Sequence, residues 1–414
     1  MSAKPEILFL AHRIPYPPDK GDKIRSWRLL KHLTQTYAVH LACFVDEPDD
    51  FAHADFLRSV CASVTLIALN PMRAKAKSLS GYLNREPLSM AYYRSKEMQQ
   101  AVNTLRARPL VAEVVFSSTM AQYIEKPLPA RKRIIDFCDA DSEKWLQYAQ
   151  DAAPPLRAVF AREGRLLARA ETEIANWADA SFAITPAEAE IFNRRRGLKK
   201  DVAWWSNGVD ADYFDPAISF DELPAPADVV FVGAMDYRAN VEAATYFAEA
   251  AWPLVLKSAP DARFAIVGAN PVRQICALDG KNRVSVTGRV DDVRPWLGEA
   301  KIVVAPLRVA RGIQNKVLEA MAMARPVVAT MAAATGLGVT PGEDILIADK
   351  AEIMAQEILS LLGDGDKRHR LGVAARRMVR ERYRWGEQLK RFDAAHGAYS
   401  SSSIELSEKL ASSA

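Results

Sequence analysis

Cysteine and histidine are scarce in this 414-residue sequence, with four Cys and six His. Cys43, Cys61, Cys138 and Cys276 stand far apart and form no C-x-x-C pair, and no two histidines stand at H-x-x-x-H spacing. A disulfide framework and a structural zinc site are therefore not expected. Long apolar runs are also missing. The longest, such as Phe264 to Ala269 and Ile302 to Leu307, are strand-sized, far short of the ~20 residues of a membrane-spanning helix. The first residues lack the basic segment and apolar stretch of a signal peptide. A cytoplasmic protein needing neither metal nor cofactor is expected, with no nucleic-acid partner. What charge bias exists is mild. The net charge is +4, with 30 Lys/Arg against 24 Asp/Glu over residues 1–206 and 25 against 27 beyond. A basic first half suits a solvated surface, or contact with an anionic partner such as a membrane surface or a lipid diphosphate.

What is present is a repeated alternation of short β-branched runs with helix-length amphipathic segments, the mark of parallel α/β architecture. One series opens at Ile7–Ala11 and continues at Val39–Cys43, Val64–Ile67, Val114–Phe116, Arg133–Asp136 and Ala180–Ile184. A second opens at Val229–Gly233 and continues at Phe264–Gly268, Val284–Gly288, Ile302–Ala305, Pro326–Ala329 and Ile345–Ile347. Three of these strands are expected to end directly in glycine, at Gly233, Gly268 and Gly288. A glycine there lets the backbone approach a ligand at the carboxyl edge of the sheet. The seam lies in Asp201 to Pro226, around the Asn207-Gly208 turn signal. The expected division is an N-terminal domain over 1–206, a C-terminal domain over 207–380, a helix over 381–399 returning to the first domain, and a frayed Ser-rich tail over 400–414.

The segment from Arg311 to Pro326 reads as loop, helix, strand. Gly312 permits a tight turn and the helix is expected to begin near Ile313 or Gln314. Such an N-terminus offers unpaired amides and partial positive charge to a diphosphate. Lys316 adds a cation in the first turn, and Glu319, one turn on, could accept hydrogen bonds from a ribose diol. The plainer alternative is an amphipathic helix with Val317, Leu318 and Met321 in the core. A further acidic segment, Asp136-x-x-Asp139-x-Asp141, reads as acid–base chemistry or as a helix cap before Glu143.

Lys316-Val-Leu-Glu-Ala-Met-Ala322 followed by Arg325-Pro-Val-Val-Ala-Thr330 resembles the signature of the group 1 retaining glycosyltransferases. Asn207-Gly208-Val209-Asp210 with Phe214, the Thr287–Asp292 loop and Trp385 fall in that family's order. The stretches His12–Ser26, Asp136–Lys144 and Gly312–Lys316 narrow the likeness to sugar transferases associated with bacterial exopolysaccharide and PEP-CTERM/exosortase loci. The resemblance implies two Rossmann-like domains facing across a cleft, the GT-B type, with the C-terminal helix crossing back. It implies Glu319 on the donor ribose and Gly288, Arg289 and Val290 near the base. It places Gly21, Gly233, Arg238, Arg311, Gly312, Gln314 and Asn315 around the donor, Lys316 on the leaving diphosphate, and Asp139 (with Asp136 behind it) near the anomeric carbon. Two positions depart from the pattern. Arg311 stands where the family has a glutamate, and Ala234 and Asn240 stand where it has an arginine and a lysine.

The implied activity is transfer of a glycosyl unit, with retention, from a nucleotide diphosphate sugar to a glycan or lipid-linked glycan acceptor, in exopolysaccharide or cell-surface polysaccharide synthesis. It could take place at the inner face of a membrane. The rivals are a nucleotide-sugar epimerase on the same fold, which needs no acceptor, and a non-catalytic nucleotide-sugar-binding subunit of a polysaccharide assembly.

Overall fold

The computed structural model describes residues 4–128, 131–220, 226–310 and 312–395. Of the sequence features singled out above, Arg311 and the 400–414 tail lie outside these residues.

The chain forms two compact units. One is Met1–Trp205 together with the chain from Leu389, and the other is Ser206–Gln388. The first unit holds a seven-stranded sheet of β1 (Glu6–Ala11), β2 (Ala38–Val45), β3 (Ser63–Ala68), β4 (Leu110–Phe116), β5 (Lys132–Cys138), β6 (Ala180–Ala183) and β7 (Ala203–Trp204). Its order is β3-β2-β1-β4-β5-β6-β7, and every pairing is parallel. Strand β7 falls inside the expected seam. It is only two residues long, too short to carry a periodicity signal. The strands are apolar on both faces because helices cover both, so Leu8, Phe9 and Leu10 are all fully buried.

The second unit holds β8 (Val229–Val232), β9 (Phe264–Val267), β10 (Val284–Val286), β11 (Ile302–Ala305), β12 (Val327–Ala329) and β13 (Leu346–Ile347). The order is β10-β9-β8-β11-β12-β13, again parallel. In each sheet the chain starts in the middle, winds outward and then restarts on the other side. This doubly wound order leaves a crevice at the carboxyl ends of β1/β4 in one unit and β8/β11 in the other, where such sheets bind ligands.

The glycines after the strands divide. Gly233 follows β8 directly. Gly268 follows β9 with φ +150, and a Cβ there would meet the Gly233 carbonyl oxygen at 1.8 Å. Glycine at this position admits the neighbouring strand's backbone and not a ligand. β10 stops at Val286, two residues short of Gly288, which turns with φ +69 into open space.

The last helix runs over Trp385–Ala395. Residues 381 and 382 belong instead to the preceding helix, Gly365–Arg382. Trp385 lies in the second unit, where its backbone amide would stand 2.8 Å from a Cβ on Gly208, and Val209 bridges to Arg384. This close packing explains why the seam needs a glycine at 208. Seven residues on, Phe392 belongs to the first unit and packs its ring on Phe182 (centroids 4.8 Å apart) and Trp205 (5.8 Å).

Candidate active site

The segment around Gly312 and Lys316 forms at the carboxyl edge of the second sheet. Gly312 takes φ +62, Gln314 is the extended N-cap, and the helix runs over Asn315–Ala322. It therefore starts one residue later than Gln314, because the left-handed turn at Gly312 needs two further residues to bring the chain into helical geometry. The N-cap makes no side-chain capping bond among the described residues, and the Val317 amide donates to the Gln314 carbonyl at 2.9 Å. Val317, Leu318, Ala320 and Met321 are buried, while Lys316 and Glu319 are half-buried. The amphipathic reading of this helix holds for its apolar face and leaves both charged residues at the sheet edge.

Lys316 Nζ donates to Asn240 Oδ1 and lies 4.6 Å from the centre of the Phe231 ring. Asn240 Nδ2 in turn donates to the Ala234 carbonyl at 2.9 Å. Gly233 closes the group. A Cβ on it would meet Asn240 Nδ2 at 2.7 Å and Lys316 Nζ at 2.8 Å. Asn315 accepts a 2.9 Å hydrogen bond from Asn207 Nδ2, which ties the start of the helix to the buried 207 position. Burial pulls the Lys316 ammonium down to about 7, against the opposing charge of Glu319. Burial likewise pushes the Glu319 carboxyl up to about 7, against Lys316. Both groups are thus held where a ligand's charge decides their protonation.

Other donor-side expectations fare variously. Arg238 begins the helix Arg238–Tyr246 and pairs with Glu242 at 2.6 Å; its helix contributes Asn240, not Arg238, to Lys316. Arg289 is exposed and Val290 half-buried in the loop after β10. That loop continues into Asp292, which pairs with Arg294 at 2.6 Å. The Arg294 guanidinium stacks 3.7 Å over the Tyr213 ring. Tyr213 feels the Glu319 charge, and burial raises its hydroxyl. Sequence reasoning missed Tyr213 and Arg294, since an aromatic and an arginine 81 positions apart give no local signal.

In the first unit, Gly21 is exposed at the first position of the helix Gly21–Thr36. Asp22 lies in its first turn. Lys20 is the N-cap, its side chain making no capping bond and pairing with Glu47, and Asp22 binds His12 at 3.2 Å and Arg13 at 3.0 Å. Asp136 is committed elsewhere. It receives Arg25 Nε and Nη2, each at 3.0 Å, with both residues fully buried, and Arg25 stacks 3.5 Å over Trp205. Asp139 follows β5. It does not cap the helix Asp141–Asp151, whose N-cap is Ala140. The amides of Ala140 and Ser142 go to Glu188 and Glu171. Asp139 Oδ1 is buried without a hydrogen-bond partner among the described residues. Burial pushes its carboxyl up to about 6, with Lys144 opposing and Glu188 and Asp141 adding to the shift.

With this geometry in hand, comparison places the chain among known proteins. The family model described as "Glycosyl transferases group 1" matches residues 226–364, which contain the Gly233–Asn240–Lys316 group. The fold of the whole chain is that of a sucrose-phosphate synthase from Thermosynechococcus elongatus (17% identity, 99% of this chain and 100% of that one, TM-score 0.66). It is also that of Anabaena Alr3699/HepE in complex with UDP-glucose (17%, 94% and 98%, TM-score 0.65). An α,α-trehalose-phosphate synthase from Burkholderia vietnamiensis shares it as well (13%, 94% and 99%, TM-score 0.64). No curated protein matches the sequence. Two parallel sheets of Rossmann-like order make this the GT-B fold. The group 1 match lies within the second unit, over residues 226–364, and the solved structures share the fold of the whole chain.

Proposed function

We propose that the second unit binds a nucleotide diphosphate sugar with its diphosphate at the N-terminus of the Asn315–Ala322 helix. The observation that carries this is the convergence of Gly233, Asn240 and Lys316 beside a helix start with no side-chain capping bond among the described residues. An ammonium held near neutrality by burial gains its full charge when a dianion arrives, and the helix dipole adds to it. Ala234 and Asn240 remove two cations that the family pattern supplies, so Lys316 carries the charge of the leaving group. Glu319 takes the ribose diol, and Gly288, Arg289 and Val290 lie toward the base. UDP-sugars are the first donors to test, because the HepE structure is a complex with UDP-glucose.

The first unit is assigned the acceptor. Asp139 offers a buried, unpartnered carboxylate oxygen that can accept a hydrogen bond from a sugar or acceptor hydroxyl, or stabilise positive charge at the anomeric carbon. The acceptor we propose is a glycan or lipid-linked glycan of an exopolysaccharide pathway, which the His12–Ser26 and Asp136–Lys144 likeness supports. Membrane contact fits one surface of this unit. The helices Pro71–Ser78 and Ser80–Leu83 expose Met72 (82%), Leu79 (62%) and Leu83 (88%), beside Arg73, Lys75, Lys77 and Arg85 with no acid over 71–85. Apolar tips ringed by cations suit an anionic lipid surface. Among the described residues no helix is long and apolar enough to cross a membrane.

The test is incubation with UDP-, GDP- and ADP-sugars, with and without acceptor, after a thermal-shift screen for the donor. Acceptor-dependent release of nucleoside diphosphate with a retained linkage is expected. Altered sugar without acceptor would mark an epimerase. Binding without turnover would mark a non-catalytic subunit.

A further inference from the structure

The second unit carries a basic cavity that the donor reading does not use. It has a volume of about 690 Å³ and lies where the helix Gly365–Arg382 meets the C-terminal end of the donor helix. Residues 365–384 hold eight Lys/Arg against two Asp/Glu. Four of the eight are occupied by the protein. Lys367 pairs with Glu357, Arg368 binds the Leu361 and Leu362 carbonyls, Arg376 pairs with Asp215, and Arg382 binds the Gly338 carbonyl. The cavity is lined by three of the others, Arg377, Arg380 and Arg384, together with His369. All four are exposed, and their side chains make no hydrogen bond or ion pair among the described residues. Glu381 is the acid in the lining.

Arg325 lines the same cavity, and its Nε is buried without a partner among the described residues. Its guanidinium gives one bond, to the Ala300 carbonyl at 3.2 Å. Burial depresses its basicity, and the Glu299 carboxylate only partly opposes this. A buried guanidinium N–H left unmade is costly, and several guanidiniums converging on one hollow repel each other. Both costs vanish when an anion with several oxygens enters, since guanidinium forks match phosphate oxygens in pairs.

We propose that this cavity is a second anion site, for a ligand bearing a phosphate or diphosphate group. Arg376 connects it to the donor helix. It lines the cavity and donates to the Ala322 carbonyl at the C-terminal end of that helix, and to the Phe214 carbonyl. Gly372 brings its helix against the backbone that follows the Asn315–Ala322 helix, as a Cβ there would meet the Ala324 oxygen at 2.1 Å. An anion drawing on Arg376 thus acts on the end of the helix opposite Lys316. The site itself stands on the arginines and does not depend on the donor assignment.

The probe is inorganic pyrophosphate, titrated calorimetrically into the full-length protein, into Arg377→Gln/Arg380→Gln and into Lys316→Ala. The site predicts binding that Lys316→Ala keeps and the double variant weakens about tenfold or more, with melting temperatures unchanged because both arginines are exposed. The donor assignment could fail while this result stands. Sedimentation with phosphatidylcholine vesicles, with and without phosphatidylglycerol, separates the sources. Arginine-dependent retention on the anionic vesicles, competed by pyrophosphate, identifies a lipid headgroup, whereas binding of pyrophosphate alone identifies a soluble ligand. Undiminished affinity in the double variant, or pyrophosphate binding lost only in Lys316→Ala, overturns the proposal.

Discussion

A Cβ placed on Gly233 would stand 2.8 Å from Lys316 Nζ, so the residue after β8 leaves the space that the lysine occupies. Gly233→Ala is therefore expected to push Lys316 and Asn240 aside while the sheet persists, since both obstructing atoms are side-chain ends. Donor turnover should fall by at least about tenfold with little change in melting temperature. Gly268→Ala makes the control. Its Cβ would collide with backbone at 1.8 Å, and it should destabilise the unit by several times more. Circular dichroism melts beside donor kinetics check both, and equal losses of stability would remove Gly233 from the site.

Lys316→Ala should lower turnover more than it weakens donor binding, because the charge on the leaving diphosphate grows as the glycosidic bond breaks. Loss of one such contact typically costs ~3–4 kcal/mol, on the order of a hundred- to a thousand-fold in rate. Glu319→Ala should instead raise the apparent donor constant, and Glu319→Gln should do so less, since an amide keeps one acceptor oxygen. Steady-state kinetics on the three variants decide, and near-normal turnover in Lys316→Ala would take the lysine out of the mechanism.

Donor binding should consume protons. With Lys316 lowered to about 7, a part of the protein is uncharged there at neutral pH, and a diphosphate diester restores the proton. Affinity for UDP-glucose should fall as pH rises through that value, and calorimetric enthalpies should vary with the buffer's ionisation enthalpy. The same pair shapes stability without ligand. Glu319 is raised from 4.5 to about 7, so its contribution is present below the unfolded value and lost as pH rises toward 7. Lys316 is lowered from 10.5, so its contribution is present above that value and lost as pH falls toward 7. The pair is least favourable near neutrality. A melting-temperature profile of Lys316→Met/Glu319→Gln should lose that local minimum.

The two aspartates after β5 should respond in opposite ways. Asp136→Asn leaves Arg25 buried without its charge partner and should cost about 3–5 kcal/mol of stability. Asp139→Asn removes a carboxylate whose pKa is raised from 3.8 to about 6. A raised value costs stability as pH rises through it, so this variant should melt no lower than the parent above that pH. Its turnover should drop by on the order of a hundredfold. A stable, active Asp139→Asn would return this residue to a structural role.

The apolar tips on the 71–85 surface should matter only on lipid. Leu79→Asp and Leu83→Asp lie at exposed positions and should leave the fold and donor affinity unchanged while releasing the protein from phosphatidylglycerol-containing vesicles at low salt. Equal partitioning of parent and variants onto neutral and anionic vesicles would contradict the membrane assignment.

The sequence by itself determined the architecture. Eleven of the paired strands are short β-branched runs flanked by helix-length segments, and burial on both faces is what writes that pattern. It also marked the turn and helix proposed to hold the donor, because Gly312, Lys316 and Glu319 lie within one local segment where spacing alone fixes their relation. Tertiary structure decided what depends on contacts far apart in the chain. It paired Asp136 with Arg25, 111 positions away, and left Asp139 Oδ1 without a hydrogen-bond partner among the described residues. It chose Asn240 and not Arg238 to meet Lys316, because only the residue two places into the helix faces back across the Gly233 gap. It gave Gly268 to strand packing, and it gathered Arg325 with Arg377, Arg380 and Arg384 around one hollow. A local pattern records which face is buried. It does not record which buried charge meets which, since that is set by how helices from distant segments dock on the sheet.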